Sequence, residues 1–312
     1  MGNSDLVKRM YDSLGESCAT SQDVAHIEIH GNKVLGLHLV SGLHVEVNEL
    51  EDGIEAEVRI DPGAKIAKPI HMCFGLLPDK GIQRIRMKVE VGDGASAAVV
   101  SSCTFPNAVD VLHEMQAEIR LGAESEYNYL ERHVHSPEGG VKVIPRSMIT
   151  IGRGASFMSD FEMLRGRVGV LDIVYEAVCQ ARSLLEMNAR ISGSGDDVVK
   201  IHEKATLAGE YSRGVLTTNI SVRDNARADI RNTLRAEAAY ARGHVDCKEI
   251  VRDNAVAKAV PIVEVVHPLA HVTHEAVLGS VDSKQLETLM AHGLTEDAAT
   301  DMIIEGLLAP RH

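Results

Sequence analysis

RDNARADIRNTLRAEAAYARGHVDCKEIVRDNAVAKAVPIVEV, residues Arg223–Val265, carries the tetrapeptide RDNA twice, at 223 and at 252. Each copy is a polar turn ending on an alanine, and each is followed by strand-like alternation. The same construction occurs upstream as GDGASA at 92, GAESEY at 122 and GRGASF at 152. The alanines at 95, 123, 155, 226 and 255 are separated by 28, 32, 71 and 29 residues. A unit of about thirty residues therefore recurs, with one interval in which the register is lost. Recurrence at that period, built from strands and turns, predicts a β-solenoid whose coils stack in one direction. The competing reading is an ordinary β-sandwich with coincidental turns.

Upstream of the repeat, from about Val24, the runs HIEIH, VLGLHLV, LHVEVNEL and IEAEVRI alternate with period two and are separated by turn signals, which predicts antiparallel hairpins. Leu6, Met10 and Leu14 share one side of a short N-terminal helix. Downstream, the strand pattern stops near Pro268. Asp282, with Gln285 three residues on, is an N-cap signal. The stripe Leu286, Leu289 and Met290 follows it, and Gly293 is a stop. Thr295 starts a second helix that places Ala299, Met302 and Ile303 on its buried side. The expected organisation is a helical segment over 1–20, a β core over 21–270 and a C-terminal helical segment over 271–312.

Composition narrows the function. The 312 residues are 45% hydrophobic but only 3% aromatic, with no Trp, so the core is built from aliphatic residues and Met, which suits stacked coils. A net charge of -13 with no basic block excludes nucleic acid as a partner. Cysteines at 18, 73, 103, 179 and 247 form no C-x-x-C pair, which disfavours disulfides, zinc ribbons and ferredoxin clusters and fits a reducing cytoplasm. No secretory signal and no apolar run of membrane-spanning length is expected, so no membrane partner is either.

Few residues carry evident chemistry. Gly92-x-Gly94-x-x-Ala97 matches a dinucleotide fingerprint as a string, but AAVVSS follows it as a strand, so it is a turn. His267, His271, His274 and Glu275 offer imidazole and carboxylate ligands within nine residues. Alternation, however, puts His271 and Glu275 on one side of a strand and His274 on the other. In HVDCKEI, Cys247 shares a face with Val245 and Glu249. Cys73 and Cys103 read as small hydrophobes, and His133 and His135 as exposed strand residues.

Cys247 and the His-rich run occur within a longer resemblance. RDNARADIRNTLRAEAAYARGHVDC, then VRDNAVAKAVPIVEV, then HEAVLGSVDSKQLETLMAHGLTEDAATDMIIEGLL, from about Arg223 to Leu308, resemble the core and C-terminus of the SufB/SufD family of iron-sulfur cluster assembly proteins. Weaker similarity in HMCFGLLPDKGIQRIRMKVEVGDGASAAVVSSCTF extends the match through most of the β region. The resemblance implies a mainly β protein, a right-handed β-helix with a short N-terminal helix and two C-terminal helices. It implies a cytoplasmic, non-catalytic scaffold holding a transient iron-sulfur cluster, paired as a homodimer or with a SufB/SufD paralogue. Its implied partners are a SufC-like ABC ATPase docked on the C-terminal helices and a cysteine desulfurase or other sulfur donor. Residue by residue, Cys247 matches the SufB cysteine that receives sulfur, His274 the interface histidine of SufB and SufD, and Glu275 an acidic residue of SufB that is glycine in many SufD proteins. The alternative is a structural or regulatory β-helix partner of the ATPase that binds no cluster. Glu287-Thr288 replaces the familiar Phe-Tyr pair of the first C-terminal helix, and His292 replaces the Arg before its closing Gly. The chain is also shorter than a typical SufB and has no compact N-terminal cysteine motif.

Overall fold

A computed structural model describes residues 2–15 and 24–310. Cys18 and part of the expected N-terminal segment lie outside the described residues. The chain begins with helix α1 (Asn3–Leu14) and ends with α2 (Ser283–Ala291) and α3 (Glu296–Leu308). Between them, among the described residues, nineteen strands numbered in chain order form two sheets. The ten-stranded sheet contains β1 (His26–His30), β2 (Lys33–His38), β5 (Ile70–Gly75), β7 (Ser96–Phe105) and β9 (Glu126–His135). It continues through β11 (Ser156–Arg165), β13 (Leu184–Gly193), β15 (Arg213–Val222), β17 (Arg242–Val251) and β19 (His271–Gly279). The nine-stranded sheet contains β3 (Leu43–Glu49), β4 (Gly53–Ile60), β6 (Lys80–Val91), β8 (Asp110–Leu121) and β10 (Val141–Ile151). Its remaining strands are β12 (Gly169–Cys179), β14 (Val198–Leu207), β16 (Arg227–Ala236) and β18 (Val256–Val265).

From β5 onward successive strands alternate between the sheets and every neighbour within a sheet is parallel, so the chain is a flattened β-solenoid. One coil advances the register by about 29 residues: Arg213 pairs with Arg242 and Arg227 with Val256. Most inward positions of the strands before the last coil are aliphatic and buried in one continuous core, as expected when coils bury each other's faces.

The RDNA turns have a direct physical reading. The backbone N–H groups of Ala226 and Ala255 donate to the carbonyls of Arg223 and Arg252 at 3.2 and 3.1 Å, closing each turn. Asp224 and Asp253 adopt left-handed backbone conformations, which aspartate tolerates better than most residues. The Asp253 carboxylate accepts from the backbone N–H of Asp224, and that of Asp224 from Gly195, so the side chains form a ladder along the solenoid edge. The 71-residue interval is where the repeat passes from one edge to the other. Ala95 and Ala155 precede strands of the ten-stranded sheet, whereas Ala226 and Ala255 precede strands of the nine-stranded sheet. At 122 the turn position belongs to Ser125, whose side chain bonds the Gly122 carbonyl, and not to Ala123.

The early strands form two antiparallel hairpins, β1–β2 and β3–β4, one in each sheet. They close the first end of the solenoid. The strand pattern does not stop at Pro268: β19 adds a last strand beside β17, and the change to helices comes after Gly279 instead of at 271.

α1 packs Met10, Tyr11 and Leu14 against Cys73, Leu77 and Val134. In α2, Asp282 caps by accepting from the Gln285 N–H at 2.8 Å, and Thr295 caps α3 by accepting from Ala298. Ala299 is buried, but Met302 is 49% exposed, contrary to its expected place on the buried side, because α3 settles on the sheet by its C-terminal end. There Arg190 Nη1 donates to the Leu308 carbonyl at 3.0 Å and Asn219 Nδ2 to that of Leu307 at 3.1 Å. Cationic and amide donors thereby satisfy carbonyls that a helix end leaves open. The other arm of Arg190 donates to Glu162 at 2.9 Å. Arg190→Ala should therefore release α3 at a cost of about 1.5–3 kcal/mol, as for other bonds to charged groups. The check is limited proteolysis: faster cleavage within 280–310, with the solenoid itself intact.

Candidate functional site

Inward and outward phases alternate along each solenoid strand, so the register places every candidate residue. On β17, Val245, Cys247 and Glu249 take the inward phase and are buried, with Cys247 fully shielded. Cys247 pairs with Thr218 on β15 and with Ala276 on β19. His274 pairs with Val245, so it shares the inward phase and lies two positions along the neighbouring strand from Cys247. Strand spacing and rise put their Cα atoms about 8 Å apart. Glu275 pairs with Asp246 in the outward phase, and both His274 and Glu275 are exposed.

Beneath Cys247 the solenoid interior is polar. Asn232 Nδ2 donates to Thr218 Oγ1 at 2.7 Å and to Cys247 Sγ at 3.8 Å. In the facing sheet Tyr175, Glu203 and Asn232 are successive register partners, giving a polar column that ends at Pro261. Among the described residues Glu203 Oε2, Asn232 Oδ1 and both Glu249 carboxylate oxygens have no hydrogen-bond partner although buried. Orphaned buried polar atoms are uncommon in an aliphatic core and mark a place where chemistry competes with stability. Sequence reasoning missed Glu203 and Asn232, and placed Glu249 on the face of Cys247 without giving it a role. Their signal was a polar residue in an otherwise apolar phase, as in Ile230, Asn232 and Leu234.

The electrostatics of this region favour the protonated forms. Burial pushes the Glu203 carboxyl up to about 8. Burial, with the charge of Asp246, raises Glu249 to about 7. The Cys247 thiol is pushed up to about 12, by desolvation first and by Glu249, Glu203 and Asp246 after it. In this conformation Cys247 is a closed thiol and not a nucleophilic thiolate.

The last coil is open. The inward-phase residues of β18 and β19, among them Val263, Val265, Val272 and Leu278, are half-buried or exposed where their counterparts in earlier coils are buried. Val265 is 50% and Leu278 49% exposed. Among the described residues neither terminal strand has an outer neighbouring strand, and the helices leave Val265 and Leu278 about half exposed. A groove between this end and the helices is lined by Lys248, Glu249, Leu278, Gln285 and Ile303.

The structure thus brings Cys247 and His274 to adjacent strands, with Glu275 directed the other way. His267, His271, His274 and Glu275 do not converge: among the described residues they form no group of three ligand atoms within metal-binding reach. His267 Nδ1 instead accepts from the Leu269 N–H in a turn. His133 and His135, expected to be exposed, are buried at 1% and 6% exposure, because they occupy the inward phase of β9. Cys73 and Cys103 are buried, as read. No helix among the described residues is long and apolar enough to cross a membrane.

The SufBD core domain of the SUF system for FeS cluster assembly matches residues 78–307, a span that includes Cys247, His274 and Glu275. An iron-sulfur cluster assembly SufBD family protein of Methanocaldococcus jannaschii is 34% identical over 282 residues, covering 90% of this chain and 89% of that protein. One from Pyrococcus horikoshii is 36% identical over 285 residues, covering 91% and 87%. The iron-sulfur cluster assembly protein SufB of Bacillus subtilis is 22% identical over 263 residues, covering 81% of this chain and 55% of its own length. With the solenoid, its polar interior and nearly full-length relatives in agreement, the chain belongs to the SufBD family of iron-sulfur cluster assembly proteins.

Proposed function

We propose that this protein is a cytoplasmic scaffold subunit on which an iron-sulfur cluster is built at the open end of the solenoid. Cys247 accepts sulfur, His274 ligates iron, and Glu275 ligates iron or accepts a proton. A second copy of the chain, or a SufB/SufD paralogue, faces this end. The observation that supports this most is the uncapped last coil: an apolar solenoid end needs a cap, and the strand bearing His274 lies on that end beside the strand of Cys247. A two-fold pairing there would place equivalent Cys247 and His274 residues on both sides of one axis.

The chemistry suits a scaffold. A set mixing thiolate, imidazole and carboxylate holds iron less firmly than four thiolates, so the cluster remains cargo. The sulfur donor is a cysteine desulfurase or another persulfide carrier. Cys247 attacks the outer sulfur of the donor persulfide, the donor S–S bond breaks, and the donor thiolate leaves as Cys247 becomes the persulfide. Because Cys247 is fully buried and its thiol is held at about 12, this step requires the last coils to open. A SufC-like ABC ATPase on the exposed faces of α2 and α3 supplies that movement, and nucleotide hydrolysis belongs to it. The same burial favours the second reading, a structural or regulatory partner of the ATPase that binds no cluster.

Anaerobic reconstitution with ferrous iron and sulfide separates the two. The wild type should gain the broad visible absorbance of a cluster and pass it to an apo-protein. Cys247→Ser should lose nearly all of the transfer, and His274→Ala should hold less iron. Unchanged absorbance and transfer in Cys247→Ser would overturn the sulfur role and leave the structural reading.

A further inference from the structure

A second set of soft donors lies inside the solenoid, away from Cys247. Cys103 on β7 and His133 on β9 are register partners in the inward phase of the ten-stranded sheet. His113 on β8 faces them from the other sheet. One donor atom from each of the three lies within 4.8 Å of the others, and all three residues are buried. Between β7 and β17 the sheet advances by five strand spacings, so this cluster is about 24 Å from Cys247.

Three observations point to a ligand there. First, neither ring nitrogen of His113 has a hydrogen-bond partner among the described residues, although the side chain is 1% exposed. A neutral imidazole always has one donor and one acceptor nitrogen, so both halves of its hydrogen-bonding capacity are unused, an arrangement that calls for an ion or a trapped water. Second, His133 carries the support that ligating histidines have. Its Nε2 is 2.9 Å from Glu131 Oε1, and Glu131 Oε2 in turn accepts from Tyr175 OH at 3.3 Å. With Nε2–H donated to Glu131, Nδ1 is the His133 nitrogen left to a metal, which would take the place of its 3.2 Å hydrogen bond with His135 Nε2. Third, aromatic rings shield the cluster: the Phe105 ring packs on His113 at 4.9 Å and the Phe161 ring on His133 at 5.0 Å between centroids.

We infer that Cys103, His113 and His133 form a buried site for one divalent transition-metal ion of the zinc or ferrous-iron class. One sulfur and two imidazole nitrogens select that class over calcium or magnesium, which take oxygen ligands. Metal-ligand bonds of about 2.0–2.3 Å place tetrahedral donors about 3.3–3.8 Å apart, a spacing within reach of small side-chain rotations. Glu131 is the positioning residue that fixes the His133 ring. The site stands independently of the cluster reading and requires nothing of Cys247.

Cobalt(II) is the probe. The full chain, stripped with chelator and kept reduced and anaerobic, should bind one cobalt per chain. It should show a thiolate-to-cobalt charge-transfer band with the visible bands of a tetrahedral ion, and zinc should displace it. Cys103→Ser should lose the charge-transfer band, and Glu131→Gln should weaken binding about 10- to 100-fold. Cys247→Ser should change neither. Because the Cys103 and Glu131 variants could fail to fold, X-ray absorption of the zinc-loaded wild type provides a test without substitution, with one sulfur and at least two imidazole scatterers expected. No tight cobalt binding, a charge-transfer band that survives in folded Cys103→Ser, or a zinc shell without sulfur would each overturn the site. In the first case a water would be the partner of His113.

Discussion

Replacing Glu203 with glutamine should make the protein more stable at pH 9 by on the order of 3–5 kcal/mol while leaving its stability near pH 4.5 almost unchanged. Burial raises the folded-state pKa of Glu203 from 4.5 to about 8. Over that window the native state binds the proton that the unfolded state has released, so the slope of stability with pH is negative. The contribution is fully present below the unfolded pKa and is lost as pH rises through the folded one. A tenfold change in proton affinity between the two states is worth about 1.4 kcal/mol, which sets the scale. Glutamine keeps the shape and cannot ionise, which removes the penalty. Urea unfolding midpoints at pH 5, 7 and 9 for the two proteins measure it, and parallel pH profiles would mean that Glu203 is hydrated in the native state. The same result would bear on Cys247, since the Glu203 charge is one of the influences holding its thiol high.

Leu278→Asp should weaken self-association, or association with a paralogue, by about 2–4 kcal/mol, or roughly 30- to 1,000-fold in Kd. Leu278 shares the inward phase with Glu249 but is 49% exposed, because no further coil covers it. Val263, Val265 and Val272 are likewise half-buried or exposed in the last coil, on an end that a partner would have to seal. A carboxylate at the centre of such a contact is left desolvated and unpaired, which costs far more than the lost leucine alone. Light scattering across a dilution series should find a dimer of the 33.8 kDa chain for the wild type and a monomer for the variant. A solvent-facing control, Lys258→Glu on β18, tests whether charge alone is responsible.

The solenoid was legible because its turns obey local chemistry. Asp224 and Asp253 occupy left-handed positions and offer their carboxylates to backbone N–H groups of the previous coil, so the RDNA spelling repeats at the period of the coil. The register was lost between Ala155 and Ala226 because two series of turns, one on each edge, have similar composition. His133 and His135 were misplaced for a different reason. Alternation identifies the two faces of a strand, but hydrophobicity decides which one is inside, and here the inward phase of β9 carries Glu131, His133 and His135. The polar column of Tyr175, Glu203 and Asn232 escaped notice because its members lie about 28 residues apart and converge only through the register. Cys247 and His274 were found by resemblance. Their placement on adjacent strands of an open coil is a tertiary property, set by β19 joining the sheet and by the helices leaving the end bare.

The most direct measurement of the central proposal is the iron and acid-labile sulfide bound per chain after anaerobic reconstitution, compared between the wild type, a dimer on this proposal, and Leu278→Asp, a monomer on it. The expected result is a cluster on the dimer that is lost from a folded monomer, since one open end supplies only half of the ligands. A monomer that assembles the same cluster with the same stoichiometry would contradict the placement of the site at a paired solenoid end.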